Sequence, residues 1–513
     1  MCYLCIMIRL QILLALAAVL AVTSSEARDS IRVDYRAELI GNGSTGNFAP
    51  YMIGSWNSGR ITGASGIWQD GMVCKDITLN RRFNWGAGVE YIAGYGSGTD
   101  YEHYTGSKWG SEYIRQSSIR LIQLWGEIKY RGVFLQAGAK ERKSKIVDDD
   151  YSMGDLVRST NARPIPGITA GFVDFQNIPF TNGWVQINGE LMYGKLFDSG
   201  YAARFMNHYT GILPQDLYYH YKYCYLRSNP AKPFCVTAGV QETCMFGGST
   251  EYYFQGDHTK TEYRDFKLKY LWNAFFAEYQ NGESNAIGSS LGSWDFRARY
   301  LFRSGYELSA YFQWFWEDGS GLAKRNGWDG LWGLQLKFPK PAPVDNIVVE
   351  YIDFTNQAGP GHHWPTDWPG SNLDVKVGGA DNYYNNDMYG PYSYYGMAIG
   401  TPFVKSPMYN LDGYYFFANC RTRGFHAAFG GTVLPDLSYR FKFSSQIAWR
   451  DGRTPSARSY EDYSAGLHID WRPMPMKVSG LSMGLDMAFD LGKLRGNNFG
   501  AMLAVRYDGA LNF

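Results

Sequence analysis

The last fifteen residues of the chain, 499–513, alternate between apolar and polar side chains and stop on an aromatic residue. Counted in steps of two, one face holds Phe499, Ala501, Leu503, Val505, Tyr507, Gly509, Leu511 and Phe513. The other face carries Arg506, Asp508 and Asn512. Successive side chains of a strand point to opposite faces, so this period of two predicts a strand that separates two different environments.

The same alternation recurs along the chain. In residues 295–303 apolar side chains alternate with Asp295, Arg297, Arg299 and Arg303, and segments 307–317, 437–450 and 481–490 repeat the pattern. In each segment one face is apolar and the other is polar or charged. The comparable segments predict roughly 16 to 20 strands, a number within the range of single-chain membrane barrels.

Two all-β folds would produce this pattern. A soluble sandwich alternates with its apolar face inward, but its strands average about five or six residues, whereas many segments here reach ten. Mean hydropathy is -0.32, and no apolar run of about 18 residues that could form a membrane helix follows residue 27. Since only helices and closed barrels satisfy the backbone in lipid, we predict an all-β, antiparallel, up-and-down transmembrane β-barrel.

The N-terminal residues predict export. Arg9 precedes an apolar stretch, 10–22, and Ser25-Glu26-Ala27 forms a small-x-small cleavage site. Residues 1–27 are therefore predicted to be a signal peptide, with Met1 or Met7 as the start, and residues 28–513 a single barrel domain. We expect a bacterial outer-membrane protein that contacts outer-membrane lipid and is recognised by the barrel-assembly machinery through the strand ending in Phe513.

Charge argues against one class of partner. Lys and Arg total 49 and Asp and Glu total 48, which gives a net charge of +1. This balance provides no basic field for nucleic acid, so no nucleic-acid partner is predicted.

Five cysteines follow residue 27, at positions 74, 224, 235, 244 and 420. A hairpin that turned at Asn229-Pro230 would place Cys224 opposite Cys235, within disulfide reach. The alternative is that all five are small packed side chains without a disulfide.

Polar and aromatic residues are densest between positions 317 and 403. Amides and carboxylates hydrogen-bond to hydroxyl groups, and aromatic rings cover the apolar face of a sugar, so this region is a candidate polysaccharide surface. The alternative is that Asn, Asp and Gly form turns while Tyr forms the membrane-interface belt. The candidate ligand-binding residues are Asp318, Asp329, Trp332, Gln357, His362, Asp381, Asn382, Tyr383 and Asn385.

Several short sequence blocks follow one another in order along the chain. They are Gly-Asn-Gly-Ser-Thr-Gly-Asn-Phe-Ala-Pro-Tyr at 41–51, Asn-Ala-Arg-Pro-Ile-Pro at 161–166, Glu-Asp-Gly-Ser at 317–320, Asp-Gly-Leu-Trp-Gly at 329–333, Asp-Asn-Tyr-Tyr-Asn at 381–385 and Gly-Thr-Pro-Phe at 400–403. Together they resemble the capsule assembly family called Wzi, in its Bacteroidetes form. The resemblance implies an 18-stranded outer-membrane barrel that acts as a lectin and holds capsular polysaccharide on the cell surface.

A barrel with these features could have three functions: surface lectin, porin or hydrolase. As a surface lectin the protein would lose polysaccharide retention on Trp332→Ala or Tyr383→Ala. As a diffusion or uptake porin it would line a water-filled lumen with Arg297, Arg299, Arg440 and Arg450 facing Asp486 and Asp490.

As an outer-membrane hydrolase the chain would depend on groups such as His468, which lies beside Asp470 in the alternation. No serine-centred elbow or spaced acid pair accompanies them, so no enzyme and no cofactor are predicted. Neither His362-His363 nor the acidic run 148–150 has the ligand spacing of a metal site, so no metal is predicted either.

Overall fold

The computed structural model describes residues 31–276, 288–317, 321–322, 324–357, 361–363, 376–379, 382–450, 458–473 and 480–513. Its main sheet contains nineteen strand segments. Two of them, Gly167–Phe172 and Gln176–Asn177, pair one after the other with the same neighbour. They form one interrupted strand, so the barrel wall has eighteen strands.

We number the wall strands in chain order. They are β1 Arg32–Ser44, β2 Gly66–Lys75, β3 Phe83–Gly96, β4 Ile119–Tyr130, β5 Val133–Ala139, β6 Gly167–Phe172 with Gln176–Asn177, β7 Val185–Lys195, β8 Tyr218–Ser228 and β9 Phe234–Phe246. The second half comprises β10 Ser289–Leu301, β11 Glu307–Glu317, β12 Gly330–Lys337, β13 Asn346–Asp353, β14 Thr422–Leu434, β15 Leu437–Ala448, β16 Tyr460–Trp471, β17 Leu481–Gly492 and β18 Asn498–Asn512.

Every wall strand pairs antiparallel with its sequence neighbours, and the last strand pairs with the first. The β1–β18 register runs from Arg32 opposite Asn512 to Ser44 opposite Gly500. Closure leaves the main sheet, as far as the structure describes it, without an edge strand. The predicted closed, up-and-down barrel is confirmed, and so is its strand number of 18.

The two faces of the wall have opposite chemistry. On β4, Leu124 and Ile128 point outward with about half of their surface exposed, at 54% and 50%. On the same strand Gln123, Glu127 and Lys129 point inward and are buried. A soluble sandwich would bury the apolar face, so this arrangement fits a wall whose outside contacts lipid.

The two ends of the barrel differ in the length of their connections. One end, the turn rim, has short links such as 131–132 and 435–436, whereas the other, the loop rim, carries 97–118, 140–166 and 354–421. Outer-membrane barrels keep short turns on the periplasmic side and long loops outside. We therefore assign the turn rim to the periplasm and the loop rim to the cell surface.

Helices are few and short. Those of the described residues include Tyr51–Gly54, Tyr201–Phe205 and Lys269–Phe276, with a 3-10 turn at Pro407–Tyr409. In the described part of the chain, no helix has both the length and the apolar character needed to cross a membrane.

Three connections of the loop rim fold into the barrel. We call them the first (45–65), second (140–166) and third (382–421) lumen segments. The second and third meet inward-facing aromatic residues of the wall in one hydrophobic core. Members of this core include Met153, Leu156, Val157, Tyr384, Tyr392 and Phe403 from the segments, and Tyr219, Tyr221, Phe315 and Leu331 from the wall.

Polar side chains of the wall hold the second lumen segment in place. Glu350 on β13 accepts hydrogen bonds from the Ser152 hydroxyl and the Met153 backbone N–H, both at 2.6 Å. Gln313 on β11 accepts the Leu156 backbone N–H at 3.1 Å. Because buried backbone groups need partners, these inward-facing side chains give an irregular segment the bonds that a strand would otherwise provide.

A buried charge network holds the first lumen segment. Arg60 contacts Glu90 of β3 at 2.6 Å and Glu141 of the second segment at 3.0 Å. Arg36 of β1 contacts Glu90 at 2.5 Å and Asp70 of β2 at 2.8 Å. Two guanidinium groups thus neutralise carboxylates that would be costly to bury alone.

Of the two alternatives for the cysteines, the pairing of Cys224 with Cys235 is wrong, and the one without a disulfide is observed. The β8–β9 hairpin places Cys224 opposite Val240, and Cys235 lies opposite Arg299 of β10. The turn is centred later than Asn229-Pro230, so Cys224 lies exposed on the outer face while Cys235 is buried. All five cysteines of the described residues are free thiols.

Replacing Arg60 with Met should destabilise the protein strongly, because Glu90 and Glu141 would lose a buried cationic partner. We expect a loss of about 3–5 kcal/mol in unfolding free energy, measured by denaturant unfolding in detergent micelles. The matched control is Arg32→Met, which breaks the exposed Arg32–Asp34 pair and should cost no more than about 1 kcal/mol. Equal losses in both variants would contradict the anchoring role of the network.

Candidate functional site

The sequence-predicted site residues do not form one surface. Asp318 and Asp381 lie outside the described residues, and His362 belongs to the short ribbon that pairs Gly361–His363 with Lys376–Gly379. Trp332 lies on the outer face of the wall, with its ring stacked on Phe312 at a centroid distance of 3.8 Å. It is therefore separated from the predicted residues that fold inward.

Three of the inward-folded residues meet in a buried hydrogen-bond cluster. The Asp329 carboxylate accepts the Gln357 backbone N–H at 2.7 Å and the Tyr383 hydroxyl at 3.0 Å. Asn326 donates to the Tyr383 hydroxyl at 2.9 Å. Burial raises the pKa of Asp329 to about 7, although the hydrogen bond from Gln357 favours its ionised form.

Asn382 and Asn385 bond within the third lumen segment. Asn385 donates to the Asn382 side-chain oxygen at 3.1 Å and to the Phe417 carbonyl at 3.0 Å, and it accepts the Phe417 N–H at 2.9 Å. Asn385 is buried, as are Asp329, Gln357 and Tyr383. In this conformation these four side chains shape the interior of the barrel and present little surface to a polymer.

A different set of three aromatic residues, one exposed and two half-buried, clusters at the loop rim. Trp109, Tyr104 and Tyr209 contact one another with ring centroids 5.0–5.4 Å apart. Trp109 is 48% exposed. We call these three residues the crown platform.

The crown platform is built on a hairpin that leaves the barrel. Strands Gly98–Tyr104 and Trp109–Arg115 pair with each other above the end of β3. The Tyr104 N–H donates to the Asn207 carbonyl at 2.8 Å, and the Gly256 N–H donates to the Tyr209 carbonyl at 2.7 Å. Gly256 has a φ of 90°, and a side chain there would collide with the Tyr104 ring.

Ionisable groups surround the platform. Arg204 contacts Glu112 at 3.2 Å, while the rings of His103 and His208 lie 5.0 Å apart. His208 also contacts Tyr253 at 4.9 Å. The exposed Trp109 ring, with two half-buried tyrosine rings inclined to it by 64° and 50°, lies near carboxylate, guanidinium and imidazole groups. Groups of these kinds are able to stack on and hydrogen-bond to a sugar.

Sequence reasoning missed the platform. Its signal is the short stretch 98–115, in which Asp100, Glu102 and Glu112 are interspersed with Tyr101, Tyr104 and Trp109 around Thr105-Gly106. A turn between two aromatic-rich stretches predicts a hairpin. Tyr209 belongs to a different connection, and only the fold brings it to the hairpin.

Two chambers lie beneath the lumen segments. The larger, about 510 Å³, is bounded by turn-rim halves of wall strands and includes Arg36, Glu38, Arg440, Lys442, Asp486 and Arg506. The smaller, about 220 Å³, includes Arg142, Arg158, Glu190, Tyr221, Tyr223 and Gln241. Both chambers reach Glu141 and Lys143 of the second lumen segment, so that segment divides the lower lumen.

His468 lies in the larger chamber, but its partner differs from the one suggested by sequence. Its Nδ1 lies 2.8 Å from Asp486 on β17, whereas Asp470 pairs with Arg472. Among the described residues, no serine hydroxyl is hydrogen-bonded to His468. No group of three histidine, cysteine or acidic side chains in the described ranges is arranged to hold a metal ion.

Comparison with known proteins identifies the fold. No protein-family model and no curated protein matches the chain. The chain is similar in structure to Wzi of Escherichia coli, described as a carbohydrate-binding outer-membrane β-barrel involved in group 1 capsule assembly, with 10% identity and a TM-score of 0.52 over 92% of this chain and 83% of that one.

Two further barrels align over similar lengths. OccAB2 of Acinetobacter baumannii has 8% identity and a TM-score of 0.47, covering 94% of this chain and 98% of that chain. OprD of Pseudomonas aeruginosa has 10% identity and a TM-score of 0.46, covering 95% and 96%. At 10% identity the similarity to Wzi of Escherichia coli shows the fold alone, that of an outer-membrane β-barrel.

The hairpin that carries the crown platform, residues 98–115, should become less stable at acid pH. Burial and the neighbouring His208 lower the pKa of His103 below its usual 6.5. Because the pKa of His103 is lower in the folded state, protonation favours the unpacked form of the hairpin 98–115. The stability of the packed hairpin therefore falls as pH drops below about 6.5. We expect hydrogen-exchange protection of residues 98–115, corrected for intrinsic rates, to decrease severalfold between about pH 7.5 and about pH 5.

The control for this measurement is His103→Gln, which keeps a polar side chain but cannot titrate. Protection in this variant should vary less with pH than in the parent protein. The same pH dependence in both proteins would exclude His103 as the responsible group.

Proposed function

We propose that this outer-membrane barrel binds a surface polysaccharide, of the kind that forms a capsule, at its loop rim and helps to retain it on the cell. The observation that carries the proposal is the crown platform with its exposed Trp109 ring, mounted on the side assigned to the cell surface. Trp109, Tyr104 and Tyr209 are fixed by contacts between three separate connections, so little ordering would be needed when a polymer binds.

The filled lumen supports a surface role. The lumen segments contact the wall through a hydrophobic core and through bonds such as those of Glu350 with Ser152 and Met153. A polymer would therefore meet the barrel from outside. The ordered sequence blocks that resemble the Wzi family, and the shared fold with a barrel described as carbohydrate-binding, favour the same function.

The proposal contains no catalytic step. Release of sugar fragments when purified protein is incubated with capsule would contradict it and would favour a hydrolase.

A diffusion or uptake porin is the second candidate. The two charged chambers favour it, because arginine and acidic side chains such as Arg440 and Asp486 line a space beneath the lumen segments. In this alternative the lumen segments would have to move to open a path. Two further arginines of this alternative bond to backbone carbonyls: Arg297 donates to Ile146 of the second lumen segment, and Arg299 donates to Pro230 in the turn between β8 and β9.

Removal of aromatic rings from the crown should weaken polysaccharide retention. We expect Trp109→Ala and Tyr209→Ala each to reduce retention severalfold, since an aromatic contact contributes about 0.5–1.5 kcal/mol beyond its buried area. Retention is measured as surface-attached against shed capsule in a strain that expresses the variant. The matched control is Trp184→Ala, an exposed tryptophan at the turn rim, which should leave retention unchanged.

The sequence-predicted residues remain a competing proposal for the binding surface, and Tyr383→Phe tests them. It removes the hydroxyl that donates to Asp329 but keeps the ring in the core. Loss of retention in Tyr383→Phe, with normal retention in Trp109→Ala, would transfer the site from the crown to the third lumen segment.

Conductance separates the two functions. In planar bilayers we expect the intact protein to show no stable open-channel steps, because the lumen segments fill the barrel. Replacing residues 144–161 with a short Gly-Ser linker should produce steps, since that stretch carries Ser152, Met153 and Leu156. Steady conductance from the intact protein would favour the porin.

A further inference from the structure

Four aromatic rings form a continuous ladder on the outer wall at the loop rim. Trp314 and Trp328 stack at a centroid distance of 4.8 Å with an interplanar angle of 19°. Phe312 and Trp332 stack at 3.8 Å and 20°, and Trp328 lies 5.9 Å from Trp332. Trp328 is 65% exposed and Trp332 is 40% exposed.

The strand alternation fixes the direction in which the ladder points. On β11, Tyr311 faces the lumen and donates to Glu350 at 2.5 Å, so its neighbour Phe312 faces outward. Trp314 lies two residues further along the same face, toward the loop rim. The ladder therefore lies at the depth of the lipid headgroups that face the cell surface.

The connection between β11 and β12 carries two neighbouring cations, Lys324 and Arg325, and Lys324 contacts the ladder. Lys324 Nζ lies 3.7 Å from the Trp314 ring centroid, and both Lys324 and Arg325 are exposed. Trp314 Nε1 donates to the Gly327 carbonyl at 2.9 Å, which fixes this connection against the wall. Within the described ranges, neither cation has an acidic partner at ion-pair distance.

We propose that this patch, Phe312, Trp314, Lys324, Arg325, Trp328 and Trp332, binds an anionic glycolipid of the outer leaflet. The phosphate groups of its sugar headgroup pair with Lys324 and Arg325. Its acyl chains lie along Trp332 and the next outward residue of β12, Leu334, which is 55% exposed. Two cations that have no acidic partner among the described residues, next to an apolar outer face, match the charge and shape of a phosphorylated lipid.

The site is separate from the crown platform. It lies on the outer surface of β11–β12, whereas the platform stands on the hairpin that follows β3. Lipid binding at this patch is therefore testable independently of polysaccharide binding at the crown platform.

The test uses native mass spectrometry of the full-length protein in detergent with bisphosphorylated lipid A. We expect the double variant Lys324→Ala/Arg325→Ala to bind this lipid about tenfold more weakly than the parent protein. Lipid A from which both phosphates have been removed should bind the parent and the variant equally.

The matched control is Lys232→Ala. Lys232 lies 5.2 Å from the Trp184 ring at the turn rim, which is a cation–aromatic pair at the opposite membrane face. Its loss should not change lipid A binding. Equal binding by parent and double variant, an equal loss in Lys232→Ala, or a loss that persists with the phosphate-free lipid would each overturn the proposal.

Discussion

The interior of this barrel depends on one buried carboxylate, Asp155, and on the wall amides that bond to it. Gln241 of β9 and Gln313 of β11 donate to its two oxygens at 2.9 Å and 3.0 Å, and the Ser144 hydroxyl donates at 2.7 Å. The same two amides also donate to Asp295 of β10. An unpaired buried carboxylate would be costly, so this network ties the second lumen segment to three consecutive wall strands.

The position of the second lumen segment determines how the interior of the barrel is divided. Its apolar side chains Met153, Leu156 and Val157 complete the core that the third segment covers. Below it the lumen is split into two charged chambers, and above it the hairpin and its neighbours carry aromatic rings outward. The structure thus separates an interior occupied by the lumen segments from the aromatic side chains at the loop rim, and the proposed surface role rests on that separation.

The architecture was predictable because the physical signal is repeated. Each wall strand must contrast a lipid side with an inner side, so alternation in segments such as 295–303 and 499–513 carries the same information many times. The disulfide alternative for Cys224 and Cys235 failed because it depended on one local detail, the position of the hairpin turn. A hairpin centre displaced by a few residues changed the partner of Cys224, and the alternation placed it on the opposite face from Cys235.

The site was less predictable because the same residue types serve two purposes. Asp329, Tyr383 and Asn385 belong to a polar and aromatic block that suits a sugar-binding surface. Hydroxyl and amide groups of this kind also supply the hydrogen bonds that a buried, irregular segment needs. Sequence does not distinguish these roles, because burial is decided by contacts with distant strands. The crown platform was not predictable for a different reason. Tyr209 and Trp109 belong to different connections, and only the folded structure brings their rings into contact.

The second lumen segment also constrains the order of assembly. It precedes β6 in the chain, but its partners Gln313, Glu350 and His426 lie on β11, β13 and β14. Each of these contacts requires its wall strand to be in place. The second lumen segment therefore reaches its final position only after β11, β13 and β14 have formed, although it precedes all three in the chain.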